Sequence, residues 1–332
     1  MRRLKAEWER QNTILMALPN ENTDWIDVGL EQSASVFRKI AQAIGYSQMV
    51  YMLVNDEKEA KKHFCSTNNI IFIKADFNDT WTRDYGPLSI EEAGRNKLLD
   101  FRFNGWGGKF EASLDNSVNK QLKSRGFYGR AELESYDIEI EGGAIDTDGQ
   151  GTILTTKSCL LNPNRNGALS QAEAEEILSS KLGAKRVLWV ENSFLEGDDT
   201  DGHIDMLARF VNSDTIAYLK CEDSSDKHYK SLQELEKELK SFKQADGKPY
   251  NLVPLPFTEP KYKDGERMPA SYANFLITNS ALLFPTYQSS KDKEAQEIFK
   301  KLFPEREIIP VPCLKLIEQG GSLHCSTMQI SF

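Results

Sequence analysis

Polar and apolar positions alternate along this chain with two different periods. Between residues 31 and 44, Val36, Ile40 and Ile44 recur at i, i+4 and i+8, which predicts an amphipathic helix with Gly45 as its C-cap. Ser170 and Glu173 form a capping-box pattern that opens a second helix over 170–182, closed at Gly183. The same periodicity predicts helices over 225–245 and 291–302, with a weaker one over 115–125 ending at Gly126. Between them lie short apolar runs, "MVYMLV", "IIFI", "LLDFRF", "TILTT", "RVLWV", "TIAYL", "FLIT" and "ALLFP", which predict strands. Strands and helices alternate throughout, so the class is α/β or α+β. No Ser/Gly/Pro-rich linker and no low-complexity tract interrupts the chain, so residues 1–332 read as one domain.

Four polar loops stand out by spacing. They carry Asp84, Glu141, His203 and Cys325, at separations of 57, 62 and 122 residues. The last separation is about twice the others. This predicts a structural repeat of roughly sixty residues in which one unit lacks a reactive group. The missing loop falls near 264–274, in "DGERMPASYAN". Identity between the units is negligible, so the repeat is one of element order.

Composition narrows the function. A chain of 332 residues with 39% hydrophobic and 27% charged residues is an ordinary globular protein. The net charge of −9 argues against a nucleic-acid partner, because phosphate binding needs clustered Lys and Arg, and it suits a small cationic substrate. No apolar run reaches membrane-spanning length, and "MRRLKAEWERQNTILMALP" is charged too far in for a secretory signal. The expectation is a cytoplasmic protein without a membrane partner. Five cysteines without a CxxC or zinc spacing read as reduced thiols.

Cys325 lies in "GGSLHCSTMQI", almost at the C-terminus, where chains usually fray. A Cys kept there is either sealed in a core or held for chemistry, and as a nucleophile it acts only as thiolate. Cys65, Cys159, Cys221 and Cys313 read as small buried hydrophobes. His203 lies in "EGDDTDGHIDMLARF", among Glu196, Asp198, Asp199, Asp201 and Asp205. Acids beside a His raise its pKa and fix its tautomer. A metal site on His203 and Asp205, or a solvated acidic loop, is the rival reading; His63 and His228 sit in polar helical stretches. Asp84, in "NDTWTRDYGPLSI", reads as a constrained carboxylate at a strand edge or as a simple pair with Arg83. Glu141 ends a strand before Gly-Gly in "IEIEGGAIDTDGQGTILTT", a placement that favours ligand contact. A thiolate, a His and several carboxylates together suit attack on a positively charged planar carbon, since carboxylates grip a guanidinium by paired hydrogen bonds.

The stretches "WTRDYGP", "EGGAIDTDGQGTILTTKSCLLNPNRN", "DTDGHIDMLARF" and "GGSLHCSTMQI" resemble, in order, the motifs of the agmatine deiminase and bacterial-type peptidylarginine deiminase family. The resemblance runs from "QNTILMALP" to "HCSTMQ". It implies the pentein fold, an α/β propeller of five ββαβ-type units with pseudo-fivefold symmetry. It implies that Cys325 is the nucleophile, His203 the general acid and base, and Asp84, Glu141 and Asp205 the guanidinium-binding carboxylates, with Trp81 and Trp106 flanking the substrate. "GGSLHC" departs at Ser322 and Leu323 from the "GGNIHC" of many members. The implied reaction is hydrolysis of agmatine to N-carbamoylputrescine and ammonia through an amidino-cysteine, a step of putrescine biosynthesis that needs no cofactor and no metal. Asp199, four residues before His203, is the candidate for the amine tail. Free arginine would instead need an Arg to clamp its carboxylate, and Arg83, Arg165 and Arg209 are available. Free arginine, peptidyl-arginine and a non-catalytic pentein-fold binding role stand as alternatives, and a homo-oligomer is compatible with the sequence.

Overall fold

The computed structural model describes residues 2–332 and shows one three-stranded pattern used five times. In each case a first strand pairs antiparallel with a second, and a helical crossover returns the chain to a third strand parallel to the second. Ile145–Thr147, Thr152–Thr156 and Arg186–Val190 form one such unit. Ala208–Asn212, Thr215–Lys220 and Asn251–Pro256 form the next, and Leu276–Ile277, Ala281–Thr286 and Glu307–Pro312 another. Leu88–Glu92, Arg95–Arg102 and Glu132–Glu139 repeat it, with Arg2–Leu4 added on the outer edge. The fifth joins the two ends of the chain. Met328–Ile330 pairs antiparallel with Thr13–Ala17, which runs parallel to Met49–Val54 and, beyond it, Ile70–Lys74. The segment after Cys325 is therefore held in a sheet and cannot fray freely.

The crossover helices follow the sequence pattern. Leu30–Gly45 buries Val36, Phe37, Ile40, Ala41 and Ile44 along one stripe. Gly45 is not its C-cap: it is helical, and a Cβ there would lie 2.7 Å from the Asn68 carbonyl, so it is a close-packing position. The capping box of Ser170 and Glu173 forms, but Gln171–Ile177 passes into a wider π turn, Leu178–Leu182, before Gly183 ends it at φ 72°. The remaining crossovers are Tyr229–Ser241, Asp292–Leu302 and Val118–Ser124, the last preceded by a 3₁₀ turn at Asp115–Ser117. Buried side chains from all five units join one apolar cluster. Cys159, Cys221 and Cys313 are buried as expected, whereas Cys65 is exposed, because it sits in the loop after Glu57–Lys62 rather than on a packed face.

One rule of placement matters for chemistry. Asp84, Glu141, His203, Asn274 and Cys325 each lie two to five residues before the first strand of a unit. The hydrogen bonds below show that these five lead-in loops meet.

Candidate active site

Asp84 is on a short helical turn, Thr82–Tyr85, not at a strand edge. Its Oδ1 accepts from the Gly143 backbone N–H at 2.9 Å, and its Oδ2 accepts from Trp106 Nε1 at 2.9 Å. It makes no pair with Arg83, which turns away to the His324 carbonyl and Gln329. Trp106 is held over Asp84 by strained backbone: Gly105, Trp106, Gly107 and Gly108 all have positive φ, 55° at Trp106 itself. Three of the four residues are Gly, which populates that region freely, and Trp106 is held there at a cost in strain.

Glu141 and His203 meet at 2.8 Å through Nε2 and Oε2. Arg165 Nε donates to both Glu141 oxygens at 2.9 Å, while its Nη1 and Nη2 reach Asp201 and the Thr200 carbonyl. Arg165 thus ties the Glu141 loop to the His203 loop. His203 Nδ1 lies 3.7 Å from Asp84 Oδ1 and has no hydrogen-bond partner among the described residues. Burial alone would lower the His203 pKa, but Asp84, Cys159 and Glu141 outweigh it and hold the imidazole well above its usual range. Burial alone would raise Glu141, but His203 and Arg165 outweigh it and hold the carboxyl below its usual range. Asp84 goes the other way, raised by burial, with Glu141 and Asp205 adding to the rise and His203 opposing it.

Asp205 and Cys325 complete the group. Asp205 Oδ2 lies 3.9 Å from Cys325 Sγ and accepts from His324 Nδ1 at 2.7 Å, while Oδ1 is buried without a partner among the described residues. Cys325 is 5% exposed, and burial, then Asp205 and Asp84, pushes its thiol well above the ordinary range. Burial and the two carboxylates thus favour the neutral Cys325 thiol, while Asp84, Cys159 and Glu141 favour the charged form of His203. A cation placed among Asp84, Glu141 and Asp205 would reverse the electrostatic penalty on the thiolate.

Asp84 and Cys325 open onto a cavity of about 410 Å³ lined also by Trp81, Trp106, Asp199, Asp24, Asp79, Asp198, Glu266 and Glu318, whereas Glu141, His203 and Asp205 do not line it. Trp81 packs on Gly321, where a Cβ would be 2.7 Å from its ring. Asp199 is at the mouth with its side chain half exposed, 3.7 Å from Lys109 Nζ. No Arg or Lys lines the cavity.

Several residues of the site escaped sequence reading. Asn274 touches Cys325, and it is the last residue of the stretch where the sixty-residue spacing placed a loop without a reactive group. His324 bridges Asp205 to Glu7 at 2.7 Å on each side, and neither the adjacent Cys325 nor the distant Glu7 signals this in sequence. Cys159, read as a plain hydrophobe, lies 3.6 Å from Glu141 Oε2. Glu141, Cys159 and His203 bring ligand-type atoms within 4.8 Å of one another. The fit to a metal is poor, since a metal needs the Cys159 thiolate and burial pushes that thiol up to about 11.

The model of the Porphyromonas-type peptidyl-arginine deiminase family matches residues 3–331. The chain belongs to this family. A Porphyromonas gingivalis structure provisionally named an arginine deiminase is 43% identical, with a TM-score of 0.95 over 99% of this chain and 98% of that one. A variant agmatine deiminase of C. jejuni with substrate bound is 39% identical, with a TM-score of 0.93 over 99% and 96%. A Legionella pneumophila family member provisionally named an agmatine deiminase is 36% identical over 98% of this chain and 94% of its own. The fold is also similar to that of dimethylarginine dimethylaminohydrolase from Pseudomonas aeruginosa, with a TM-score of 0.55 at 13% identity. No helix of the described residues is long and apolar enough to cross a membrane.

Proposed function

We propose that this family member hydrolyses the guanidinium of agmatine to N-carbamoylputrescine and ammonia, within one pentein domain whose five units stand as blades around the site. The observation that carries the choice of substrate is the lining of the cavity: seven carboxylates and no Arg or Lys. An amine tail suits that lining, while an α-carboxylate would meet repulsion. The three arginines available for clamping a carboxylate are engaged elsewhere, Arg165 with Glu141, Arg209 with Glu7, and Arg83 with His324 and Gln329.

In this reading Asp84, Glu141 and Asp205 hold the guanidinium, and Trp81 and Trp106 flank it. Bound positive charge favours the Cys325 thiolate, whose S–H proton leaves to solvent, and the thiolate adds to the guanidinium carbon and forms a C–S bond. His203 gives its proton to the departing nitrogen as the C–N bond breaks and ammonia leaves. His203 then takes a proton from water, whose oxygen adds to the amidino carbon. The adduct's hydroxyl proton passes to sulfur as the C–S bond breaks and the carbonyl forms, releasing the Cys325 thiol and the ureido product, and His203 keeps the proton it took from water. Peptidyl-arginine is the second reading, favoured by the family's description. Side-by-side assay of agmatine, free arginine and a blocked arginine peptide tests the choice. Agmatine is expected to be turned over with kcat/KM at least about 10²-fold above the others, the scale of two charge contacts. A faster peptide would overturn the assignment. Quenched turnover should carry the amidino mass on Cys325.

A further inference from the structure

We propose that His228 is a positioning residue for this site: as a neutral imidazole it holds the loop that carries Asp198, Asp199 and His203, and a second proton on its ring releases that loop. The inference adds a residue to the proposed deimination and rests on that reading for its kinetic readout alone.

His228 is buried at the N-cap of Tyr229–Ser241, although its surroundings in sequence read as a polar helical stretch. Its Nε2 lies 2.8 Å from the Glu196 backbone nitrogen. A backbone N–H can only donate, so Nε2 accepts and carries no proton. Nδ1 lies 2.7 Å from Asp226 Oδ1 and donates to it. The two contacts fix one neutral tautomer. Asp226 is set in turn by the His228 backbone N–H at 2.9 Å and by Arg267, whose Nη1 and Nη2 reach its two oxygens at 3.0 and 2.8 Å. Phe194 stacks on the imidazole with ring centres 5.1 Å apart, and Phe257 lies 5.0 Å away.

From Glu196 the hold reaches the reacting groups by short steps. The Leu195 carbonyl accepts from the Asp198 N–H at 3.1 Å. Asp198 accepts from the Thr200 N–H at 3.1 Å and from the Gly202 N–H at 2.7 Å, and Thr200 Oγ1 accepts from the His203 N–H at 3.1 Å. Arg267 seats the same turn from the far side, since a Cβ on Gly197 would lie 2.4 Å from the Arg267 carbonyl. Gly197, Asp198, Asp199 and Glu266, next to Arg267, all line the cavity. A proton on Nε2 would set N–H against N–H, and the turn would lose its anchor. The charged groups facing the ring are Asp226, Arg267 and Glu196, the last paired with Lys227 at 2.8 Å. Burial, with Arg267, outweighs Asp226 and Glu196 and holds the imidazole below its usual value of about 6.5. The closed turn is therefore favoured above about pH 6.5 and loses that advantage as pH falls through the folded value.

The test is amide hydrogen exchange of the peptide spanning 192–199, read by mass and divided by the intrinsic rates, at about pH 7.5 and about pH 5, in the wild type, His228→Gln and His228→Phe. His228→Gln keeps an acceptor for the Glu196 N–H and does not titrate; His228→Phe keeps the stack and has no acceptor. Protection in the wild type is expected to fall at least about 10-fold from the higher pH to the lower, the scale of one hydrogen bond. It should stay level in His228→Gln and be low at both pH values in His228→Phe. At the higher pH, kcat/KM for agmatine should fall about 10-fold in His228→Phe and be largely kept in His228→Gln. Thermal unfolding identifies a variant that does not fold, and the wild-type pH series with the other variant then decides. Level protection in the wild type, or wild-type protection and kcat/KM in folded His228→Phe, would overturn the proposal. Wild-type protein that turns over none of agmatine, free arginine and the blocked peptide would overturn the deimination reading instead, with the exchange result still deciding whether His228 holds the loop.

Discussion

Asp79 and Asp199 line the same cavity with different electrostatics. Burial, with Asp24 adding to it, pushes the Asp79 carboxyl up to about 7. Asp199 is half exposed, and Lys109 donates to its carbonyl at 2.6 Å and lies 3.7 Å from its carboxylate. A bound amine favours the ionised form of a neighbouring carboxyl, so on the proposed reading, with the agmatine amine beside Asp79, binding below about pH 7 displaces a proton from Asp79. KM for agmatine is therefore expected to fall as pH rises through about 7 in the wild type, and to lose this dependence in Asp79→Asn. Asp199→Asn should raise KM roughly 10-fold with kcat unchanged, because a partly screened contact is worth about one decade. Steady-state kinetics from pH 5 to 9 check both; an unchanged KM–pH profile in Asp79→Asn would remove Asp79 from the amine end. Residues with chemistry written into their type were readable here. Cys325, His203, Asp84, Glu141 and Asp205 stood out because each combines a reactive group with a polar loop. Asn274, His324 and Glu7 did not, since an amide, a second His and a surface-like N-terminal Glu acquire meaning only through contacts 50 to 317 residues away in sequence.

At the level of elements, the lead-in loops work through close approach. Gly143 stands where the loops of Asp84, His203 and Asp205 converge. A Cβ there would lie 2.5 Å from His203 Nδ1, 3.0 Å from Asp84 Oδ1 and 3.2 Å from Asp205 Oδ2. Its own N–H is a ligand of Asp84. The loop backbone is therefore part of the site wall, and a methyl group would displace the Asp84, His203 and Asp205 side chains. Gly143→Ala is expected to lower kcat/KM at least about 10²-fold, because a 1 Å error in placement costs that much in an oriented reaction. Kinetics together with the unfolding midpoint check it, and near-wild-type activity would show that the loop yields. The long crossover helices were legible by period, although 225–245 overran Tyr229–Ser241 by four residues at each end, Gly45 proved not to be a cap, and the short Glu57–Lys62 was not predicted. The outer parallel strands Asn251–Pro256 and Glu307–Pro312 were not, because "NLVPLP" and "EIIPVP" contain proline, which is tolerated at a sheet edge and reads as loop. The spacing of about sixty residues carried the repeat even so, since each unit needs one hairpin and one crossover of similar length.

Across the whole molecule, the N-terminal segment supplies the back wall of the site. Glu7 is 4% exposed and meets Arg209 Nη2 and His324 Nε2, each at 2.7 Å, with the Ile277 N–H on its other oxygen. His324 passes the connection to Asp205, so residues from the two ends of the chain and two middle units share one buried charge network. Both His324 ring nitrogens face carboxylate oxygens. Burial alone would raise the Glu7 and Asp205 carboxyls. Arg209, His324 and Arg83 outweigh it at Glu7, and His324, His203 and Arg209 at Asp205, so both lie below their usual ranges. A carboxyl depressed in the folded state stabilises it above the unfolded pKa of about 4, and this is lost as pH falls through the folded value. His203, raised on folding, adds stability that is full below about 6.5 and lost only as pH climbs through its folded value. The unfolding midpoint should therefore fall steeply below about pH 5. Glu7→Gln removes one acid contributor and leaves Arg209 and His324 without their shared anion. Breaking a buried pair from one side costs about 3–5 kcal/mol. The variant is expected to unfold at a lower temperature at pH 7 and to lose less of that temperature between pH 5 and 3. An equal acid slope with an equal midpoint at pH 7 would mean that Glu7 is not coupled to the fold, and that His324 holds Asp205 without its help.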